Sequence, residues 1–152
     1  MTYKSGNHTY EEIKSQGNVW EKIIQSNIKK VEPISKYLKN EHDEVIFSGC
    51  GSTHYLSMSA AKVWTSITNE FARGIPSSEL WLYPNSTLSN LKSHYIAISR
   101  SGETTETIEA LKIFKNKTDN NGVVISCYPD STMVKESEFN LLAPEAQEKS
   151  VA

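Results

Sequence analysis

The chain has 152 residues, 38% of them hydrophobic and 22% charged, and its 16 basic and 18 acidic side chains leave a net charge of −2. That length suits one compact domain with its own core, and the charge lacks the basic excess that a nucleic-acid surface needs. No run approaches the roughly 18 consecutive apolar residues of a membrane-spanning helix, the N-terminus has no secretory apolar stretch, and the composition excludes collagen, coiled coil and wholesale disorder.

The first forty residues read as helix. Thr9-x-x-Glu12 and Asn18-x-x-Glu21 both fit the capping-box spacing. Val19, Trp20, Ile23, Ile24, Ile28, Val31, Ile34 and Leu38 then recur at helical intervals, a stripe expected to pack into the core, with its part around Trp20, Ile24 and Ile28 expected to meet another half or subunit and to leave an apolar patch when alone. Pro33 is expected to kink or split that helix. From Glu44 onward, short apolar runs alternate with helices. Val45-Ile46-Phe47 is a strand, and a helix follows from Ala60 through Phe71. A short strand or turn falls at Ile75 to Ser78. Tyr95-Ile96-Ala97-Ile98 is the strongest strand, followed by a helix with Ile108, Leu111, Ile113 and Phe114 on its apolar face. Val123-Val124-Ile125 and Phe139 to Leu142 are the last strands, with a helical turn between Ser131 and Glu136.

Strands alternating with helices at this spacing predict βαβ units, hence a three-layer αβα domain around a roughly five-stranded parallel sheet. The flavodoxin-like strand order is expected, with helices over residues 1–40 preceding the domain at 41–152. In that order the first and third strands are neighbours at the switch point, and the loops at their carboxyl ends share one crevice.

Those two loops carry the chemistry. Ser99-Arg100-Ser101-Gly102-Glu103-Thr104-Thr105 follows a strand and opens a helix, so unpaired N–H groups point outward at the positive end of a macrodipole. Gly102 permits a tight turn, and the clustered hydroxyls supply short neutral donors. Ser48-Gly49-Cys50-Gly51-Ser52-Thr53 has the same placement. Together they predict a phosphate cup. Neither loop is a nucleotide motif, since the P-loop Lys and the third Gly of the dinucleotide fingerprint are missing. Cys50 and Cys127 are expected as reduced thiols of a cytoplasmic protein, and two cysteines without clustered His or carboxylate do not make a zinc site.

With Ile98 leading into it, this motif pair resembles the sugar isomerase (SIS) domain, and in particular the amino-sugar-phosphate deaminases, the tagatose-phosphate ketose/aldose isomerases and the isomerase part of glucosamine-fructose-6-phosphate aminotransferase. The closing run Pro144-Glu145-Ala146-Gln147-Glu148-Lys149-Ser150-Val151-Ala152 is similar to a segment that enters the active site in the deaminase/isomerase branch. Glu11-Glu12-Ile13, Gln16 and Trp20 resemble that branch's lead-in helices. The resemblance implies phosphate contacts from Ser52, Thr53, Ser99, Arg100, Ser101 and Thr104. Arg100 stands where the aminotransferase has Gln, and Thr53 where the family commonly has Ser. Glu148 and the backbone near Val151 would lie beside the sugar, with Glu148 the candidate for proton transfer.

No metal or organic cofactor, nucleic acid or membrane is implied. Relatives of this type carry two SIS domains, with acid/base residues from the second half or a neighbouring subunit. The chain is therefore expected to be a first half whose partners are a sugar phosphate and either a second SIS half or a second copy. The implied reaction moves a proton between the first two carbons of a hexosamine or ketose phosphate. A phosphosugar-sensing or fructosamine-phosphate module without catalysis, or a dimerisation unit, are the alternatives. His54, at a helix start without a visible partner, is read as a surface or capping residue, and Glu103 is expected to turn to solvent.

Overall fold

The computed structural model describes residues 6–88 and 91–149. Five parallel strands form one sheet in the order β2-β1-β3-β4-β5, the expected flavodoxin-like arrangement. They are β1 (Glu44–Gly49), β2 (Ala72–Pro76), β3 (Ser93–Ile98), β4 (Val123–Ser126) and β5 (Phe139–Leu142). The helices are α1 (Asn7–Leu38), α2 (Ser52–Thr68), α3 (Ser77–Leu82), α4 (Pro84–Thr87), α5 (Thr105–Thr118) and α6 (Thr132–Lys135), with a 3-10 turn at Pro144–Ala146.

Because side chains alternate across a strand, β1 and β3 feed two separate cores. Val45, Phe47, Ile96 and Ile98 pack with Ile34 and Leu38 of α1 and Ala61 of α2. On the opposite face, Ile46, Tyr95 and Ala97 meet Leu80 of α3, Leu111 and Phe114 of α5, and Met133 of α6. β1 and β3 pair directly, Ser48 opposite Ala97, so the loops that leave them emerge side by side.

Several local expectations are overridden. Both capping-box candidates lie inside α1, whose N-cap is Gly6. Pro33 does not end that helix, which runs on to Leu38. An interior proline costs about 3 kcal/mol, and burying Ile34 and Leu38 at about 1.5–3 kcal/mol each offsets it. The stripe does not enter the core as a whole: only Asn27, Ile34 and Leu38 of α1 are buried, while Trp20, Ile24 and Ile28 are 61–67% exposed. Phe71 lies beyond α2, at the entry to β2. The β2 strand begins at Ala72 rather than Ile75, and α3 and α4, which the sequence pattern did not suggest, join it to β3.

Two polar anchors complete the frame. Asn27 behaves like a piece of strand: its Nδ2 donates to Leu142 O at 2.7 Å and its Oδ1 accepts from Leu142 N–H at 3.1 Å, locking α1 to the end of β5. At the opposite end of the sheet, buried Glu44 accepts from Arg73 Nε at 2.7 Å, Arg73 Nη2 at 3.0 Å and Ser93 Oγ at 2.8 Å.

Candidate functional site: a hydroxyl-lined cup at the switch point

In the first loop, Thr53 Oγ1 donates to Cys50 O at 2.9 Å and accepts from Cys50 N–H at 3.0 Å, which fixes the turn from β1 into α2. Ser52 is exposed at the first position of α2. In the second loop, buried Ser99 accepts from Gly102 N–H at 3.1 Å and lies 3.1 Å from Thr104 Oγ1. Ser101 Oγ accepts from Glu103 N–H at 3.2 Å. A hydroxyl that accepts one bond still has its own proton to donate. Thr53 gives its proton to Cys50 O and one of Ser99 and Thr104 donates to the other, so Ser101 and the remaining member of the Ser99–Thr104 pair keep donors for a ligand.

Gly102 is required there on two counts. Its φ is +66°, and a Cβ would stand 2.1 Å from Ser131 Oγ. The helix α5 then starts with Thr107 N–H and Ile108 N–H both bonded to Thr104 O. No side chain caps this helix start, so its first N–H groups and the positive end of the macrodipole lie on the loop that carries Ser99 and Ser101.

A cavity of about 240 Å³ joins the two loops, with Thr53, Ser99, Arg100, Ser126, Cys127 and Glu148 in its wall. Ser101 opens instead on a neighbouring depression of about 290 Å³, with Glu103, Tyr128, Ser131 and Gln147. Residues 147 and 148 line one cavity each, so the segment after the 3-10 turn crosses the mouth between them. Glu148 is firmly held there: Arg100 Nη1 donates to its Oε2 at 2.9 Å. Val151 lies outside the described residues.

Glu103 is exposed, as expected, and is tied to the next loop. Its Oε1 accepts the Thr132 N–H at 2.7 Å, and that bond holds its carboxyl below the usual range. Both cysteines are free. Burial pushes the Cys127 thiol up, against the pull of Arg100, so it is not an activated thiolate. His54 Nδ1 is buried without a hydrogen-bond partner. Sequence reasoning missed Ser131, whose buried hydroxyl has no partner and sits against Gly102. Its only signal was a serine at the start of a short helical turn. No group of three or more His, Cys, Asp or Glu residues among those described is arranged to hold a metal, and none of the helices described is long and apolar enough to cross a membrane.

The SIS domain family profile matches residues 37–152, including both loops and the segment that crosses them. The chain belongs to the SIS domain family. It is 30% identical over 146 residues to the glutamine–fructose-6-phosphate aminotransferase (isomerizing) of Campylobacter jejuni, a match that takes in 93% of this chain and 24% of that protein. The SIS fold here superposes on tagatose-6-phosphate ketose/aldose isomerase from Escherichia coli with a TM-score of 0.82 at 19% identity, over 96% of this chain and 42% of that one. For glucosamine-6-phosphate deaminase from Thermotoga maritima the TM-score is 0.75 at 24% identity, over 96% and 43%. The SIS chain thus spans about a quarter or less of the curated relatives it matches.

Proposed function

We propose that this SIS chain anchors the phosphate of a hexosamine or ketose phosphate for an isomerase or deaminase that moves a proton between the first two carbons. One observation carries the reading: Thr53 of the loop after β1 and Ser99 and Arg100 of the loop after the adjacent β3 line one cavity, and the second loop opens α5 with no side-chain cap. Phosphate held remote from the reacting carbons orients the substrate. Ser101 and whichever of Ser99 and Thr104 keeps its proton would donate to the phosphate oxygens, Thr53 would hold the opposite loop in shape through Cys50, and Ser52 would close the first loop's side.

A general base must stand about 3 Å from its proton. Glu148, paired with Arg100, is the one carboxylate in the cavity wall among the described residues, and the reading takes a further acid or base for the proton transfer from a second SIS half or a second copy. The exposed α1 stripe, together with Tyr55, Val63 and Ile67 of α2, each more than half exposed, supports such a partner, since an apolar face of this extent favours association. The homology to enzymes of sugar-phosphate metabolism supports a cytoplasmic setting.

The test is calorimetric titration of the chain with fructose 6-phosphate, glucosamine 6-phosphate and tagatose 6-phosphate, paired with assays for ammonia and for ketose/aldose conversion. Charge-assisted bonds contribute about 1.5–3 kcal/mol, so Ser101→Ala should weaken binding about tenfold. Unchanged affinity in that variant removes Ser101 from the cup, and rapid turnover by the chain alone removes the need for a second half.

A further inference from the structure

Among the described residues, Arg100 is the one cation in the wall of the 240 Å³ cavity, and it is already engaged. Its partner Glu148 lies 48 positions further along the chain, on a segment tied down at both neighbouring residues. Gln147 Nε2 donates to Cys127 O at 2.9 Å, and Lys149 N–H donates to Glu12 Oε1 at 2.6 Å. The carboxylate is thus delivered to the guanidinium by the fold, with one bond to the loop after β4 and one to the long first helix.

A guanidinium presents five N–H donors and binds carboxylate and phosphate through the same fork. The Glu148 carboxylate and an incoming phosphate therefore compete for the same donors. Phosphate brings the larger charge and one more oxygen, and it also reaches hydroxyls and helix N–H groups that Glu148 does not touch. The side chains of Arg100 and Glu148 are 43% and 44% exposed, so exchange opens no buried pair. An ion pair this exposed contributes no more than about a fivefold factor, which a phosphate dianion can outweigh.

We propose that Glu148 is an internal competitor for Arg100: phosphate capture takes the guanidinium from Glu148 and releases that carboxylate to face the rest of the ligand. Occupancy of the cup then sets whether the Glu148 carboxylate is tied or free. The inference rests on the anion-binding reading of the cup and adds to it a specific role for the Arg100–Glu148 pair.

The experiment titrates the full chain with inorganic phosphate, following the amide resonances of residues 99–104 and the Arg100 Nε–H by NMR. The variants are Glu148→Gln, Arg100→Gln and the double substitution, with Glu148→Ala as a second removal of the carboxylate and a melting curve for each. Glu148→Gln and Glu148→Ala should both bind phosphate about three- to fivefold tighter than the parent chain, and Arg100→Gln correspondingly weaker. In the Arg100→Gln background, removing the carboxylate should change affinity by less than about twofold, because the competed cation is gone. Equal affinity in the parent and in both Glu148 variants overturns the competition and leaves the cup intact. The same gain with and without Arg100 also overturns it, since that pattern is general charge repulsion. Phosphate bound by none of the five proteins removes the anion-binding cup, and the competition with it.

Discussion

Gly102→Ala should damage this domain out of proportion to its one added methyl group, and the geometry separates two causes. The backbone at Gly102 has φ +66°, where a Cβ costs about 1–2 kcal/mol. That Cβ would also stand 2.1 Å from Ser131 Oγ, 2.5 Å from Ser131 Cβ and 2.9 Å from Ser126 Oγ. Forcing atoms into a packed site adds about 1–3 kcal/mol, so the expected loss is about 2–5 kcal/mol. Gly51 supplies the control. It too has a positive φ, +58°, with ψ −126°, but nothing lies within 4 Å of its would-be Cβ, so Gly51→Ala should lose a backbone part alone, about 1–3 kcal/mol, which Ser131→Gly does not recover. Urea unfolding followed by far-UV circular dichroism reads both losses as shifts in midpoint at constant slope. Adding Ser131→Gly to Gly102→Ala should restore part of the packing loss, because the Ser131 hydroxyl has no partner to lose. No recovery in the double variant, or the same recovery when Ser131→Gly is added to Gly51→Ala, would refute the contact with Ser131 as the reason for glycine.

Two further outcomes are expected. His94 is 2% exposed, and burial, then the nearby His42, lower its pKa below 6.5. The folded chain thus binds fewer protons there than the unfolded one, and this part of its stability, full above pH 6.5, falls as pH drops below that value. Melting temperatures between pH 7.5 and 5 should fall less for His94→Phe than for the parent chain, and parallel curves would rule His94 out as the source. The exposed stripe on α1 should drive association in sedimentation velocity at high concentration. Ile24→Glu, at a side chain 67% exposed, should abolish that association and leave unfolding within about 0.5 kcal/mol, whereas a parent chain that is monomeric throughout would count against the stripe as an interface.

Residues 45–47, 95–98 and 123–125 declared themselves as strands because a buried parallel strand is written as a short continuous apolar run. Their alternation with helices limited the topology to a doubly wound sheet, and the chain-local signal of serine, threonine and glycine after strands 1 and 3 marked the cup. Everything in that reading depends on neighbours a few residues apart. The α1 stripe was equally legible as apolar, but periodicity records that a face avoids water and not what covers it, so only the folded chain shows Ile34 and Leu38 in the core and Trp20, Ile24 and Ile28 outside it. Asn27 bonds Leu142 across 115 positions, and Glu148 meets Arg100 across 48. A side chain's hydrogen-bond partner at that range is set by where the sheet order returns the chain. The sequence pattern therefore located the cup, and the tertiary structure decided which charge stands over it.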